Sequence, residues 1–194
     1  GMLAIGTPVS VAIGASSVLV GLAFLPPATI AFVGAQKMFS GIDSFTLLAI
    51  PFFVLAGNIM NKGGIAIRLI NLAKLMGGRL PGSLAHTNVI ANMLFGAISG
   101  SSIAAAAAVG GVMGPLQRKE GYAPSFSAAV NIASAPTGIL IPPSGPLILF
   151  SLVSGGTSVS ALFMAGYVPG ILMGLSIMAV IAVIARRRNY RSEA

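Results

Sequence analysis

Cysteine is absent from the 194 residues and histidine occurs once. The first absence excludes disulfides, thiol catalysis and thiolate-held metals, and the second leaves too few ligands for most histidine-based metal sites. Acidic residues are nearly as scarce, with three Asp and Glu in all. No catalytic constellation can be assembled from so small a set, so the chain is expected to be neither an enzyme nor dependent on a cofactor. Charged residues of both signs make up only 7%, against roughly 25% in soluble domains.

Apolar sequence takes their place. Hydrophobic residues make up 56%, and stretches 3–36, 44–61, 87–117 and 123–185 contain no Asp, Glu, Lys, Arg or His. A bilayer-spanning helix needs about 20 apolar residues, so several spans are expected in an integral membrane chain. The first run, Met2 to Leu25, has no basic leader and exceeds the roughly 7–15 residues of a signal core, which reads as a span and not a signal peptide.

A net charge of +8 could suggest a nucleic-acid partner, but the basic residues fall in short clusters between apolar runs and not on one aromatic-lined face. Lys62, Arg68, Lys74 and Arg79 form one cluster, Arg118 and Lys119 a second, and Arg186, Arg187, Arg188 and Arg191 a third. The positive-inside rule places all three in the cytoplasm.

Residues 3–25 read as a first span ended by Leu25-Pro26-Pro27, 28–43 as a short interfacial piece, and 44–60 as a second span kinked at Pro51. Between glycine pairs, Ile65, Leu69, Leu72 and Leu75 alternate with Arg68, Asn71 and Lys74, the spacing of an amphipathic helix lying on the membrane surface. The uncharged run Leu84 to Leu116 then starts and ends at basic clusters but is too short for two ordinary crossings. With Ser99-Gly100-Ser101-Ser102 at its middle, it reads as a re-entrant helical hairpin with a small polar tip. Beyond it, Pro136, Pro142, Pro143 and Pro146 cannot sit in one continuous helix, so the following span is expected to be broken between Ala135 and Pro146. A last span covers about 160–185.

Unpaired backbone groups at membrane depth cost several kcal/mol each unless something satisfies them, and a small hard cation suits free carbonyls and hydroxyls. Interrupted helices that meet near the midplane are how secondary transporters hold sodium. The expected sodium site therefore joins Ser99, Gly100, Ser101 and Ser102 to Thr137, Gly138, Pro142, Pro143 and Ser144, with Ser101, Ser102 and Ser144 also facing an anionic group of a substrate. The alanines Ala104 to Ala108 are expected to let the second arm pack closely. His86 reads as a structural residue, Asp43 and Glu120 as interfacial charges, and Asn88, Asn92 and Asn131 as partners in hydrogen bonds between helices. An ion channel and a non-transporting scaffold are the competing readings.

The segments "GIDSFTLLAIPFFVLAGNIMNKGGIAIRL", "GRLPGSLAHTNVIANMLFGAISGSS", "GYAPSFSAAVNIASAPTGILIPPS" and "ALFMAGYVPGILMGL" together resemble the large membrane (M, DctM-type) subunit of tripartite ATP-independent periplasmic, or TRAP, transporters. The resemblance implies an all-α elevator-type protein of the bacterial inner membrane that imports an organic acid on a sodium gradient. It implies a small membrane Q subunit and a periplasmic substrate-binding protein as partners, and a second, inverted repeat, since members are about twice this length. On that reading residues 1–60 are scaffold spans, 61–83 an arm, 84–117 the hairpin, 118–159 the broken helix of a transport domain, and 160–194 the last span with its basic cytoplasmic end.

Overall fold

The computed structural model describes residues 2–43, 51–52, 55–56, 58–59, 63–77, 80–188 and 190. Every regular element among them is a helix. Most of the expected second span over 44–60 lies outside the described residues, as do Lys62, Arg79 and Arg191. The chain divides into two compact units, Gly1–Phe45 and Thr46–Ala194.

In the first unit the expected continuous span over 3–25 is interrupted. A 3-10 turn, Met2–Ile5, precedes α1, Val9–Leu22, whose 14 residues reach only about 21 Å. Gly6 adopts φ +81°, and Pro8, which lacks an N–H, is accepted only at the start of α1. α2, Pro27–Ile42, begins on a proline and packs back on α1, where a Cβ on Gly21 would lie 2.4 Å from Ile30 Cδ1. Leu19, Val20, Phe32 and Phe39 remain exposed.

The second unit is built around a helical hairpin. Its first arm α4, Ser83–Ser99, and second arm α5, Ser102–Lys119, are joined by Gly100 in the left-handed region at φ +62°. The amphipathic arm is α3, Ile65–Gly77, and it packs on α4 with Ile70 and Ala73 buried and Leu75 exposed. The proline-rich stretch divides into α6, Pro124–Ser134, the single turn α7, Thr137–Leu140, and α8, Gly145–Val153, with a 48° bend at the 141–144 break. α9, Val159–Arg187, is the one helix among the described residues long and apolar enough to cross a membrane alone; the bent pair makes a second candidate if counted as one span.

Val89, Phe95, Ala105, Val109, Met113, Val130 and Ile181 fill the core between hairpin, broken helix and α9. At the basic end, Tyr190 stacks on Tyr122 with centroids 4.4 Å apart, and its phenolic oxygen accepts from the Ala123 amide at 3.3 Å. Gly82, just ahead of α4, meets Ala185 of α9 there: a Cβ on it would lie 2.7 Å from the Ala185 Cβ. The foot of the hairpin, the start of the broken helix and the end of α9 thus share one end of the unit. Arg118, Lys119, Arg186 and Arg187 all occupy last helical turns at that end, where the helix dipole favours positive charge.

Candidate functional site

The expected meeting of tip and break is present, and glycines make it. A Cβ placed on Gly100 would lie 2.7 Å from the Pro143 carbonyl oxygen and 3.7 Å from the Gly145 amide nitrogen. One turn earlier on α4, a Cβ on Gly96 would lie 2.0 Å from the Gly138 Cα, and one on Gly138 would lie 2.5 Å from the Gly96 Cα. Hairpin and broken helix therefore touch backbone to backbone. α6 and α7 together span 17 residues, about 25 Å, and the hairpin arms are of similar length, so the tip reaches the broken helix at its break and not at either end.

Four helix termini converge on this junction. α4 ends at Ser99 and α7 at Leu140, which leaves their last carbonyls without intrahelical donors. α5 and α8 begin there, each capped by a serine: Ser101 Oγ accepts from the Ala104 amide at 3.3 Å, and Ser144 Oγ from the Leu147 amide at 3.5 Å. Ser144 and Thr137 are fully buried. Ser99 Oγ donates to the Ser101 carbonyl at 3.3 Å, and Ser102 opens α5. Thr137 Oγ1 donates to the Ser134 carbonyl at 2.6 Å, so its proton is directed at the last residue of α6. Pro142 and Pro143 lie in the bend between α7 and α8. The carbonyls and hydroxyls at the junction are oxygen ligands, the type that suits a hard cation.

Behind the junction a polar network ties both hairpin arms to α6. Asn92 Nδ2 donates to Ser134 Oγ at 2.7 Å and to Asn131 Oδ1 at 3.1 Å, Asn88 Nδ2 donates to the same Oδ1 at 3.2 Å, and Asn131 Nδ2 donates to the Ala106 carbonyl at 2.9 Å. These are the helix-to-helix bonds expected of the three asparagines. Gly110 makes the room, since a Cβ there would lie 2.4 Å from Asn131 Nδ2. Asn131→Leu, which keeps the branching of the amide at a larger volume, removes the shared acceptor and donor together. It is expected to destabilise the full-length permease by about 1–2 kcal/mol, read as a lower thermal midpoint of the purified protein.

The alanine run follows its expected role only in part. Ala105 is buried, and Ala104 and Ala108 pack against the core. Ala106 and Ala107, however, line a cavity of about 360 Å³ between α5 and α6, because the helical period turns them away from α4. His86 is buried at the foot of α4, and Asp43 and Glu120 are exposed at the C-terminal caps of α2 and α5.

Three glycines of α9 were not singled out in the sequence reading. Gly166, Gly170 and Gly174 lie four apart and are all buried. A Cβ on Gly166 would lie 2.3 Å from the Leu140 carbonyl oxygen, and one on Gly170 2.6 Å from Ile141 Cγ1 and 3.3 Å from the Ile141 amide nitrogen. One on Gly174 would meet Met93 Sδ at 2.3 Å. The repeated four-residue spacing is the legible signal, as it is for Gly96 and Gly100.

A family model described as "Tripartite ATP-independent periplasmic transporter, DctM component" matches residues 1–194, and the chain belongs to that family. Its relatives include the uncharacterized protein YgiK of Salmonella typhimurium, 64% identical over 97% of this chain and 43% of YgiK. The sialic acid TRAP transporter large permease protein SiaM of Vibrio cholerae is 42% identical over 98% of this chain and 44% of SiaM. The isethionate TRAP transporter permease protein DctMQ of Oleidesulfovibrio alaskensis is 42% identical over 98% of this chain and 30% of DctMQ. The chain spans less than half the length of these relatives.

Proposed function

We propose that this chain is the N-terminal half of a multi-pass inner-membrane permease that imports an organic acid on a sodium gradient. The hairpin is re-entrant, and its tip and the break hold one sodium ion. The observation that carries this reading is the approach of Gly100 to the Pro143 carbonyl, which sets the free ends of α4 and α7 and the starts of α5 and α8 around one point. Carbonyl ends of interrupted helices suit the cation, and the capped starts suit an anion. Ser99, Gly100, Ser101 and Ser102 contribute from the hairpin, and Thr137, Gly138, Pro142, Pro143 and Ser144 from the break. Sodium draws tip and break together, and Ser101, Ser102 and Ser144 then face the substrate carboxylate, so each ligand raises the affinity for the other.

The substrates named for two relatives, sialic acid and isethionate, are a carboxylate and a sulfonate. They support an organic anion as the substrate class. A second, inverted half of the same permease completes the site, a small Q subunit supports it in the bilayer, and a periplasmic binding protein delivers the substrate. The fused name DctMQ of one relative supports the Q partner.

Ile103, directly after the tip, is 82% exposed and offers a reporter position. With Ile103→Cys in an otherwise cysteine-free full-length permease, thiol labelling is expected to slow several-fold in sodium relative to potassium or choline at equal ionic strength. Equal rates in all three salts, with the protein shown to be folded, would remove the sodium site.

A further inference from the structure

A groove of about 280 Å³ runs along the second unit between α6 and α9. Its walls are Phe126, Ala129, Val130 and Ala133 on one side and Ile177, Val180, Ile181 and Ile184 on the other, nearly all carbon. The one hydroxyl in the lining, Ser176 Oγ, already donates to the Met173 carbonyl of its own helix at 2.8 Å. An ion, a sugar acid or ordered water lying in the groove would lose its hydration and gain no polar partner, so only an apolar occupant fits. From Ser176 to Ile184 the groove extends for about 12 Å along α9, the length of a substantial part of one acyl chain.

The chemistry changes at one end. Ile184 lies a single turn from Arg187 and Arg188, and the Arg188 guanidinium carbon sits 6.0 Å from the centroid of Phe126, itself a groove wall. Arg186, Arg187 and Arg188 are all exposed. An occupant with its apolar part in the groove therefore ends among three cations, and the complementary molecule is an amphiphile with a hydrocarbon tail and an anionic head.

We propose that this groove is a binding site for an anionic phospholipid of the cytoplasmic leaflet, with one acyl chain between α6 and α9 and the phosphate held by Arg188 and its neighbours. The positive-inside rule places the arginine end on the cytoplasmic side, and juxtamembrane Lys and Arg clusters attract anionic lipids there. The lipid would bridge the first half of the broken helix to α9 without touching the tip, so the proposal does not depend on sodium coupling.

This chain contains no tryptophan, which permits a direct test. Val180 is 58% exposed at the groove, so Val180→Trp should leave the fold intact. The variant is made in the full-length permease with any other tryptophan replaced by phenylalanine, reconstituted in vesicles, and quenched by lipids brominated on their acyl chains. Brominated phosphatidylglycerol is expected to quench at a several-fold lower mole fraction than brominated phosphatidylcholine. The combined substitutions Arg186→Gln, Arg187→Gln and Arg188→Gln are expected to bring the two close to parity. Equal quenching by both lipids before those substitutions would mean that the groove faces bulk lipid, and absence of quenching by either would mean that another part of the permease covers it. A phosphatidylglycerol preference that survives loss of the three arginines would also overturn the site.

Discussion

Gly96→Ala is expected to abolish the sodium-specific protection at Ile103 and to destabilise the full-length permease by about 3 kcal/mol or more, the upper range of overpacking costs. The size follows from what the new methyl would meet. At 2.0 Å its neighbour is the Gly138 Cα, a backbone atom that no rotamer change can move. Relief requires α4 and α7 to part, and that separates tip from break. Gly111→Ala, one arm away, meets nothing within 4 Å and should be neutral or slightly stabilising, as alanine is the better helix former. Thermal midpoints and thiol-labelling rates of the two variants, compared in parallel, make the check. A Gly96→Ala permease of ordinary stability that still responds to sodium would show that the backbone contact is dispensable.

Interruptions were the most legible part of the fold. Proline has no N–H and glycine tolerates a left-handed backbone, so Gly100, the Pro142–Pro143 pair and the Pro26–Pro27 pair each punctuate the chain as their chemistry requires. The basic clusters pointed to one end, and the Gly82–Ala185 and Tyr122–Tyr190 contacts bring their helix ends together there. Around α1 the helix is shorter than the apolar run, because hydropathy alone does not mark where a helix starts; the features that set its start, Gly6 and Pro8, are both tolerated in membrane helices.

The site was legible as two segments that meet, but not in the atoms that touch. Hydroxyls and prolines advertise polar or broken backbone, and they drew the reading to Ser99–Ser102 and the break. The residues that bring those segments together have no side chain at all. Gly96, Gly138, Gly166 and Gly170 act by what they omit; Gly138 was expected at the site from its place in the break, whereas in a chain with 25 glycines only spacing marks out the other three. Asn131 lay between these cases: its amide announced a hydrogen bond, but only the fold shows both arms of the hairpin converging on it.

Within α9 two glycines predict opposite outcomes from the same substitution. Gly166→Ala would set a methyl 2.3 Å from the Leu140 carbonyl oxygen, a backbone atom at the C-terminal end of α7. Gly174→Ala would set one against Met93 Sδ, the flexible end of a thioether side chain that can swing aside. Both glycines are buried on the same helix, so a loss due only to poorer helix packing should affect the two alike. If α9 instead fixes the position of the break, Gly166→Ala should raise the sodium concentration giving half-maximal protection at Ile103 by about tenfold or more, equivalent to about 1.4 kcal/mol. Gly174→Ala should stay within about twofold, because moving a methionine rotamer leaves the break where it was. Sodium titrations of labelling rate, with thermal midpoints recorded alongside, separate the two cases. Equal shifts in both variants would reduce the glycine face to ordinary packing, whereas a shift confined to Gly166→Ala would show that the break is held in register from behind by a helix that contributes no atom to the proposed ion site.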